Sequence, residues 1–282
     1  QTYNGTIIVA GAGGAAGSTT VNVTLSITAP LPTITSVTNG ASFNTGGIAA
    51  GEVISIFGSA MGPTTGVQFQ LDSNGKVPTT VGGVQVLVGG YPAPVLFARN
   101  DQVSAIVPYE INSPFIASPS VVVKFLGQSS NGIPLSQVAS APGIFTANSS
   151  GSGPGAILNS NLSTNTPGNP ANKGDTVAIY MTGEGQTNPP GVSGKITGNP
   201  TIVNGVPFTP QPVGRVAVTI DGQPANIVFY GEAPGIVSGV MQVNVQIPAN
   251  ARSGDLPVVV TVGNANSQTD SRGIGTVTVS VK

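Results

Sequence analysis

The sequence contains no histidine, cysteine or tryptophan, and only 7% of its 282 residues are charged. Histidine is the commonest general base and a frequent metal ligand, and cysteine is a strong nucleophile, so the active sites that depend on them are excluded. No Asp-x-Asp-x-Asp calcium pattern is present either. We therefore predict no catalytic residue, no metal site and no cofactor.

Basic clusters and long apolar runs are also missing. The nine Lys and Arg residues are scattered and the net charge is -1, so no surface stripe can neutralise nucleic-acid phosphates. No apolar run approaches the roughly 18 residues of a membrane span. We predict neither nucleic-acid binding nor a membrane span.

Glycine and proline are abundant instead, with 40 and 24 residues, beside many Val, Ile, Thr, Ser and Asn. Residues branched at Cβ favour strands, while glycine and proline favour turns. A lysine-poor surface rich in Thr, Ser, Asn and Gly is typical of secreted bacterial β-proteins. We expect an extracellular or cell-surface location.

An internal repeat organises most of the chain. Three segments return in the same order: 51–57 as 174–180, 84–97 as 216–229, and 102–108 as 242–248. The spacing between partners drifts from 123 to 140 residues, as expected when strands are kept and loops vary. The repeat indicates a duplicated β-domain.

The predicted fold is all-β, with two tandem immunoglobulin-like sandwiches at 33–147 and 148–282 after an N-terminal hairpin and proline spacer at 1–32. The predicted strands are 34–37, 53–57, 83–88, 95–99, 103–107, 121–125 and 134–138 in the first sandwich, and 156–158, 176–182, 215–220, 227–230, 242–247, 257–262 and 276–281 in the second. About seven short strands per domain are typical of this class. The polar inserts 159–173 and 186–212 are predicted to be long surface loops.

Several motifs resemble a known family. They include AAGEVISIFGSAMGP, GGVQVLVGGYPAPVLF, QVSAIVPYEI, VAIYMTGEGQTNPP and YGEAPGIVSGVMQVNVQIPANARSGDLPVVVTVG. Residues 34–265 resemble an uncharacterised C-terminal domain of secreted acidobacterial (Solibacter-type) proteins, and each half is similar to IPT/TIG immunoglobulin-like domains. The resemblance implies a secreted β-protein without an established activity. Residues 3–28 resemble the last two strands of a BACON-type domain, which implies that the chain starts inside a domain.

The N-terminal hairpin has arms at 6–9 and 21–27, and one face is apolar. The predicted subunit-interface residues on that face are Ile7, Val9, Val21, Val23, Leu25 and Ile27. A two-stranded hairpin alone is marginally stable in water, so another surface must cover it. Our main hypothesis is an extracellular structural protein, a filament or surface subunit that donates this hairpin to the next copy of itself.

Acidic and basic residues offer weaker candidates for chemistry. Glu52 and Asp175 occupy equivalent turn positions in the two repeats and are interpreted as structural. Glu184 is the least turn-like acid and is the residue on which a hydrolase alternative depends. Lys124 is the one strand lysine that could form an isopeptide bond, although an outward-facing lysine at a sheet edge fits it better.

A second functional alternative is a carbohydrate-binding or adhesive module of a larger secreted protein. Sugar-binding surfaces usually display aromatic rings, and the candidates for exposed rings are Tyr91, Tyr109, Tyr180 and Tyr230. The equivalence of Tyr180 with Phe57 in the repeat argues for packing at that position. Polysaccharide therefore remains a possible partner beside copies of the chain.

Overall fold

The structure is a computed structural model that describes residues 2–12, 17–26, 29–112 and 118–282. It forms two compact units, Gln1–Leu31 and Pro32–Lys282. Apart from a short 3-10 helix at Tyr109–Ile111, the regular elements of the described residues are strands. No helix in these ranges is long and apolar enough to cross a membrane. The predicted all-β sandwich fold is confirmed.

The first unit is an antiparallel hairpin of β1 (Thr2–Ala10) and β2 (Ser18–Ser26). Its register sets Ile7 opposite Val21 and Tyr3 opposite Leu25. Directly opposed residues share a face of a sheet, so the register gathers the apolar side chains on one face. The members of this apolar hairpin face are Tyr3, Ile7, Val9, Val21, Val23 and Leu25.

The second unit begins with a sandwich of two sheets. Its strands are β3 (Thr33–Asn39), β4 (Val53–Ser59), β5 (Val67–Gln68), β6 (Thr80–Val81), β7 (Val84–Val88), β8 (Tyr91–Ala93), β9 (Val95–Ala98), β10 (Gln102–Ile106), β11 (Ser120–Phe125), β12 (Gln128–Ser129) and β13 (Ile133–Pro134). One sheet has the order β3-β4-β10-β9-β5 and the other β12-β11-β7-β6, with β8 and β13 paired at β7 and β11. Ile54 and Ile56 of one sheet meet Val84 and Val86 of the other in a fully buried core, as period-2 alternation requires.

A second sandwich follows. Its strands are β14 (Gly143–Ile144), β15 (Gly153–Pro154), β16 (Ile157–Leu158), β17 (Thr176–Thr182), β18 (Thr187–Asn188), β19 (Thr201–Val203), β20 (Val206–Phe208), β21 (Gln211–Pro212), β22 (Val216–Ile220), β23 (Gln223–Pro224), β24 (Asn226–Glu232), β25 (Val240–Gln246), β26 (Gly254–Val262), β27 (Ala265–Asn266) and β28 (Val277–Val281). One sheet has the order β14-β17-β25-β24 with β16 paired to β17, and the other β15-β28-β26-β22-β23 with β27 paired to β26. Two small ribbons, β18-β21 and β19-β20, stand apart from these sheets.

The internal repeat is visible in the strand order. The run β4-β10-β9 of the first sandwich corresponds to β17-β25-β24 of the second, and the pair β7-β11 corresponds to β22-β26. Strand β14 pairs with β17 and so belongs to a sheet of the second sandwich. The domain boundary at residue 147 stays a prediction.

Candidate functional site

The two sandwiches meet through the outer faces of equivalent sheets, at what we call the junction. In β4 and β10, Val53 and Ile106 point away from their own core and join a buried cluster with Val237 and Val240 of the second sandwich. Tyr180 packs against the same cluster. Because the sheets are apolar on both faces here, the two sandwiches are held in contact by buried side chains.

Glu232 lies at the junction with almost no exposure and is surrounded by hydroxyl groups. It accepts hydrogen bonds from Thr197 Oγ1 at 2.9 Å, Ser238 Oγ at 3.1 Å and Tyr109 Oη at 3.4 Å. Tyr109 belongs to the first sandwich, so this carboxyl links the two. Hydrogen bonds to a carboxylate are stronger than neutral ones.

Glu184 is buried beside Glu232 without such support. Neither of its carboxyl oxygens has a hydrogen-bond partner among the described residues, although Tyr109 is close enough to lower its pKa slightly. Burial, followed by the negative charge of Glu232, raises the pKa of Glu184 well above its ordinary value. The protonated form of Glu184 is therefore favoured, since an isolated buried carboxylate is very costly.

Glu52 lies in the first sandwich and has two good partners. Asn39 Nδ2 and the Ala49 backbone N–H each donate to its carboxyl at 2.8 Å. Burial raises the pKa of Glu52 to about 8, because desolvation outweighs these two hydrogen bonds. Asp175, its counterpart in the repeat, accepts from Asn172 within a turn. The structural interpretation of both acids agrees with these contacts.

The buried position of Glu184 bears on the hydrolase alternative. A glycosidase needs two carboxyls on either side of a cleft that admits the sugar. Glu184 and Glu232 are each 1% exposed, so a polymer cannot reach them. Glu184, the acid on which the hydrolase alternative depends, therefore lies inside the protein and not in a cleft. Within the described ranges, no group of three Asp or Glu side chains is arranged to hold a metal.

The expectation that Tyr109 and Tyr230 are exposed is wrong, whereas Tyr180 is packed, as its equivalence with Phe57 predicts. Tyr91 is exposed, but Tyr109 is buried at the junction, and Tyr180 and Tyr230 are half-buried against the cores. Tyr109 fills space between the sandwiches, where a Cβ at Gly51 or Gly191 would overlap its ring or hydroxyl. These rings therefore stabilise the fold and do not form a sugar platform.

Lys124 is exposed, as the outward-facing interpretation predicts. Its strand β11 is not at an edge, however, because Lys124 is paired with Gln85 on one side and Ser129 on the other. An isopeptide bond requires a buried lysine next to a carboxyl catalyst. That alternative is therefore excluded for Lys124.

The apolar hairpin face is open to solvent. Exposed fractions run from 40% for Val23 to 57% for Val9 and Leu25, and Tyr3 adds a ring that sequence reasoning missed. Ile27, the sixth predicted interface residue, lies outside the described residues. Five of the six predicted side chains thus share one exposed face, which the register of β1 and β2 explains.

A cleft with mixed polar and apolar walls lies where the linker between the sandwiches, residues 138–142, meets both of them. Its larger lobe has a volume of about 640 Å³ and a smaller lobe about 250 Å³, and both are bounded by Val138, Ser140 and Ala265. Asn112, Gln186 and Asn264 line the larger lobe. Sequence reasoning did not find this cleft, because the walls of its larger lobe come from six separate segments without a shared motif.

No protein-family model matches the chain, and a search of curated proteins gives no match. Solved structures give distant similarities. One is SGBP-B from a xyloglucan utilization locus of Bacteroides uniformis, with 15% identity, a TM-score of 0.26, and coverage of 85% of this chain and 48% of that one. Another is SGBP-B from the mixed-linkage glucan locus of Bacteroides ovatus, in complex with a heptasaccharide, with 13% identity, a TM-score of 0.34, and coverage of 100% and 53%.

The extracellular region of plexin A4 is a third, with 13% identity, a TM-score of 0.28, and coverage of 87% of this chain and 18% of that chain. The chain thus spans about half the length of the two SGBP-B proteins. Similarity at this level assigns no activity or ligand. The resemblance to a secreted acidobacterial domain stays a prediction.

Proposed function

We propose that the chain is a tandem immunoglobulin-like adhesive module of a larger extracellular protein, which acts by binding polysaccharide and not by catalysis. The observation that carries this proposal is the junction. It holds the two sandwiches in contact, and segments of both sandwiches line the cleft beside it. Binding residues are disproportionately found on loops held by a rigid scaffold.

The charge distribution supports a binding role. The three acids with the deepest burial, Glu52, Glu184 and Glu232, are all internal, while the surface carries few charges. A sparsely charged surface rich in hydroxyl and amide groups suits a neutral, hydrated polymer, because neither side has to give up a strongly hydrated charge. The same surface composition supports an extracellular location.

A glycan array probed with the intact chain tests the proposal. We expect saturable binding to at least one neutral glycan, and no release of reducing sugar during long incubation with the polymer that is bound. Release of products would establish catalysis, and an array without any saturable signal would refute the adhesive function.

A second candidate function is a homopolymer held by hairpin donation, and the apolar hairpin face favours it. Full burial of each such side chain is worth roughly 1.5–3 kcal/mol, so a covered hairpin is far more stable than a free one. Another copy of the chain could bury this apolar face, and head-to-tail donation of each hairpin to the next copy would extend into a filament. Here the proposal is that each hairpin completes a sheet of the neighbouring copy.

Negative-stain microscopy of the intact chain at high concentration tests the second candidate. Filaments are expected from the wild type and should be lost in the double variant Val21→Thr/Val23→Thr, which keeps strand propensity but removes apolar surface. Thr20→Ala, on the opposite face of the hairpin, is the matched control and should leave filaments intact. A wild type that stays monomeric at all concentrations refutes the homopolymer.

A further inference from the structure

The larger lobe of the cleft is formed by parts of both sandwiches. Asn112 follows the 3-10 helix of the first sandwich, Gln186 follows β17, and Asn264 lies in the turn between β26 and β27. The linker residues 138–140 complete the wall. A volume of about 640 Å³ is within the range of ordinary small-ligand sites, roughly 300–1,000 Å³.

The lobe is uncharged. No Asp, Glu, Lys or Arg side chain of the described residues lines it. Its polar groups are amides and a hydroxyl, and between them lie the apolar surfaces of Ala50, Val138, Val213 and Ala265. Such a lining disfavours ionic ligands, because no opposite charge compensates for the loss of their hydration.

Two of the amides are free to bind a ligand. Among the described residues, Gln186 Nε2 has no hydrogen-bond partner, and the Asn264 side chain has none either. Each primary amide offers two donor hydrogens and an acceptor oxygen. A ligand hydroxyl, which both donates and accepts, can therefore pair with these groups in either direction.

Local hydrogen bonds fix the walls before any ligand arrives. Gln186 Oε1 accepts from the Thr187 backbone N–H at 3.2 Å, which leaves its NH₂ group as the free end. Ser140 Oγ donates to the Val262 carbonyl at 2.7 Å and ties the linker to the strand that leads to Asn264. The Asn112 backbone N–H donates to the backbone carbonyl of Tyr109 at 3.1 Å, and the ring of Tyr109 is buried at the junction. A fixed site reduces the entropy lost on binding.

We infer that this lobe is a binding site for a neutral oligosaccharide segment, held by the amides of Gln186, Asn264 and Asn112. A neutral sugar presents hydroxyl groups that match the amides and C–H faces that match the small apolar side chains between them. The inference rests on the proposed adhesive function, since it locates the site through which that function would operate. Because no aromatic ring of the described residues lines the lobe, binding is expected to be weak, in the millimolar to high micromolar range.

Isothermal titration of the full chain with cellohexaose, mannohexaose and maltohexaose tests the inference, with an oligogalacturonate of equal length as the acidic comparison. We expect at least one neutral hexasaccharide to bind and the oligogalacturonate to bind at least tenfold more weakly. The double variant Gln186→Ala/Asn264→Ala should raise the Kd of the bound sugar tenfold or more. Asn250→Ala removes an exposed amide that does not line the cleft and should leave the Kd unchanged.

The outcomes separate the site from the function. If the wild type binds a neutral sugar and the double variant binds it equally well, the cleft assignment is overturned while the adhesive function stands. If no neutral hexasaccharide binds, the cleft assignment is also overturned, and the glycan array then decides the adhesive function independently. Urea unfolding of the double variant shows whether a loss of binding reflects a loss of folding. Asn264→Asp keeps the shape of the side chain but adds a negative charge, and its Kd for the neutral sugar, measured in the same way, provides a second test of the site.

Discussion

The backbone N–H of Val53 in the first sandwich donates a 2.8 Å hydrogen bond to the hydroxyl of Thr182 in the second. The same hydroxyl donates to the Gly239 carbonyl at 2.7 Å. One buried threonine thus satisfies two buried backbone groups that belong to different sandwiches. Unpaired groups of this kind are rare in folded proteins because they are costly.

Thr182→Val should destabilise the module strongly. The change keeps the shape of the side chain but leaves the Val53 N–H and the Gly239 carbonyl without partners. We expect a loss of about 2–4 kcal/mol in the free energy of unfolding, since each unsatisfied group costs about 1–3 kcal/mol. Urea denaturation measures it. Thr182→Ser keeps the hydroxyl and should lose only about 1 kcal/mol for the missing methyl group; equal losses in both variants would contradict the role of the hydrogen bonds.

The module should become less stable as the pH rises from about 4.5 to about 8. Glu52 has its pKa raised from 4.5 to about 8 in the folded state, so the folded state binds more protons than the unfolded state across this range. The stabilisation contributed by protonated Glu52 is fully present below its ordinary pKa of 4.5 and is lost as the pH rises through its folded-state pKa of about 8. Glu184 shifts in the same direction. Thermal unfolding at pH 5 and pH 8 should give the higher Tm at pH 5.

Glu184→Gln should weaken this pH dependence. The amide cannot ionise, so the part of the slope that comes from Glu184 disappears, while the part from Glu52 remains. The free energy of unfolding at pH 8 should rise relative to wild type, because the folded variant no longer has to keep a buried carboxyl protonated at a pH where the unfolded chain ionises it. Equal slopes of stability against pH in wild type and variant would show that Glu184 is charged in the folded state.

Gly183 and Gly174 should respond differently to alanine. Both adopt left-handed backbone angles, with φ of +80° and +84°, so alanine is strained at either position. A Cβ at Gly183 would in addition overlap the Ala141 carbonyl in the linker, whereas the space around Gly174 is open. We expect Gly174→Ala to lose about 1 kcal/mol and Gly183→Ala at least 2 kcal/mol more. Similar losses in the free energy of unfolding for the two variants, measured by urea denaturation, would mean that the linker shifts to make room for a Cβ at Gly183.

Amide hydrogen exchange should be much faster in the hairpin than in the two sandwiches. In a dilute monomer, amides of β1 and β2 are expected to exchange almost as fast as unfolded peptide, because the pair has an exposed apolar face and lacks a core. Amides of β4 and β17 should be protected for hours or longer. Mass spectrometry at two protein concentrations makes the measurement. Slow hairpin exchange in the dilute monomer would mean that the apolar hairpin face is already covered within one chain.

Strand alternation made much of the fold predictable. The repeat identified β4, β7 and β10 with β17, β22 and β25, because buried strands keep their apolar pattern while loops change length. The hairpin arms followed from the same alternation, and both proved longer than predicted. The segment predicted as strand 134–138 is a strand only at Ile133–Pro134, and beyond it the chain makes a single parallel bridge between Gln137 and Ile48 before it enters the linker.

The junction was not predictable in the same way. Glu184 and Glu232 lie 48 positions apart in the sequence, and Tyr109 belongs to the other sandwich, so local patterns cannot bring them together. A glutamate between two glycines is ordinarily interpreted as exposed. One local signal was available and missed: Asn204-Gly205 between strand-forming residues is a strong hairpin motif, and it forms the turn between β19 and β20 inside a segment predicted to be loop.

Ser140 ties the linker to the second sandwich at the edge of the cleft through its hydrogen bond to the Val262 carbonyl. The distance between the two sandwiches at the cleft therefore depends on this contact and on the buried junction. If the cleft binds a polymer as we propose, its width would limit the chain thickness and the branching that can enter.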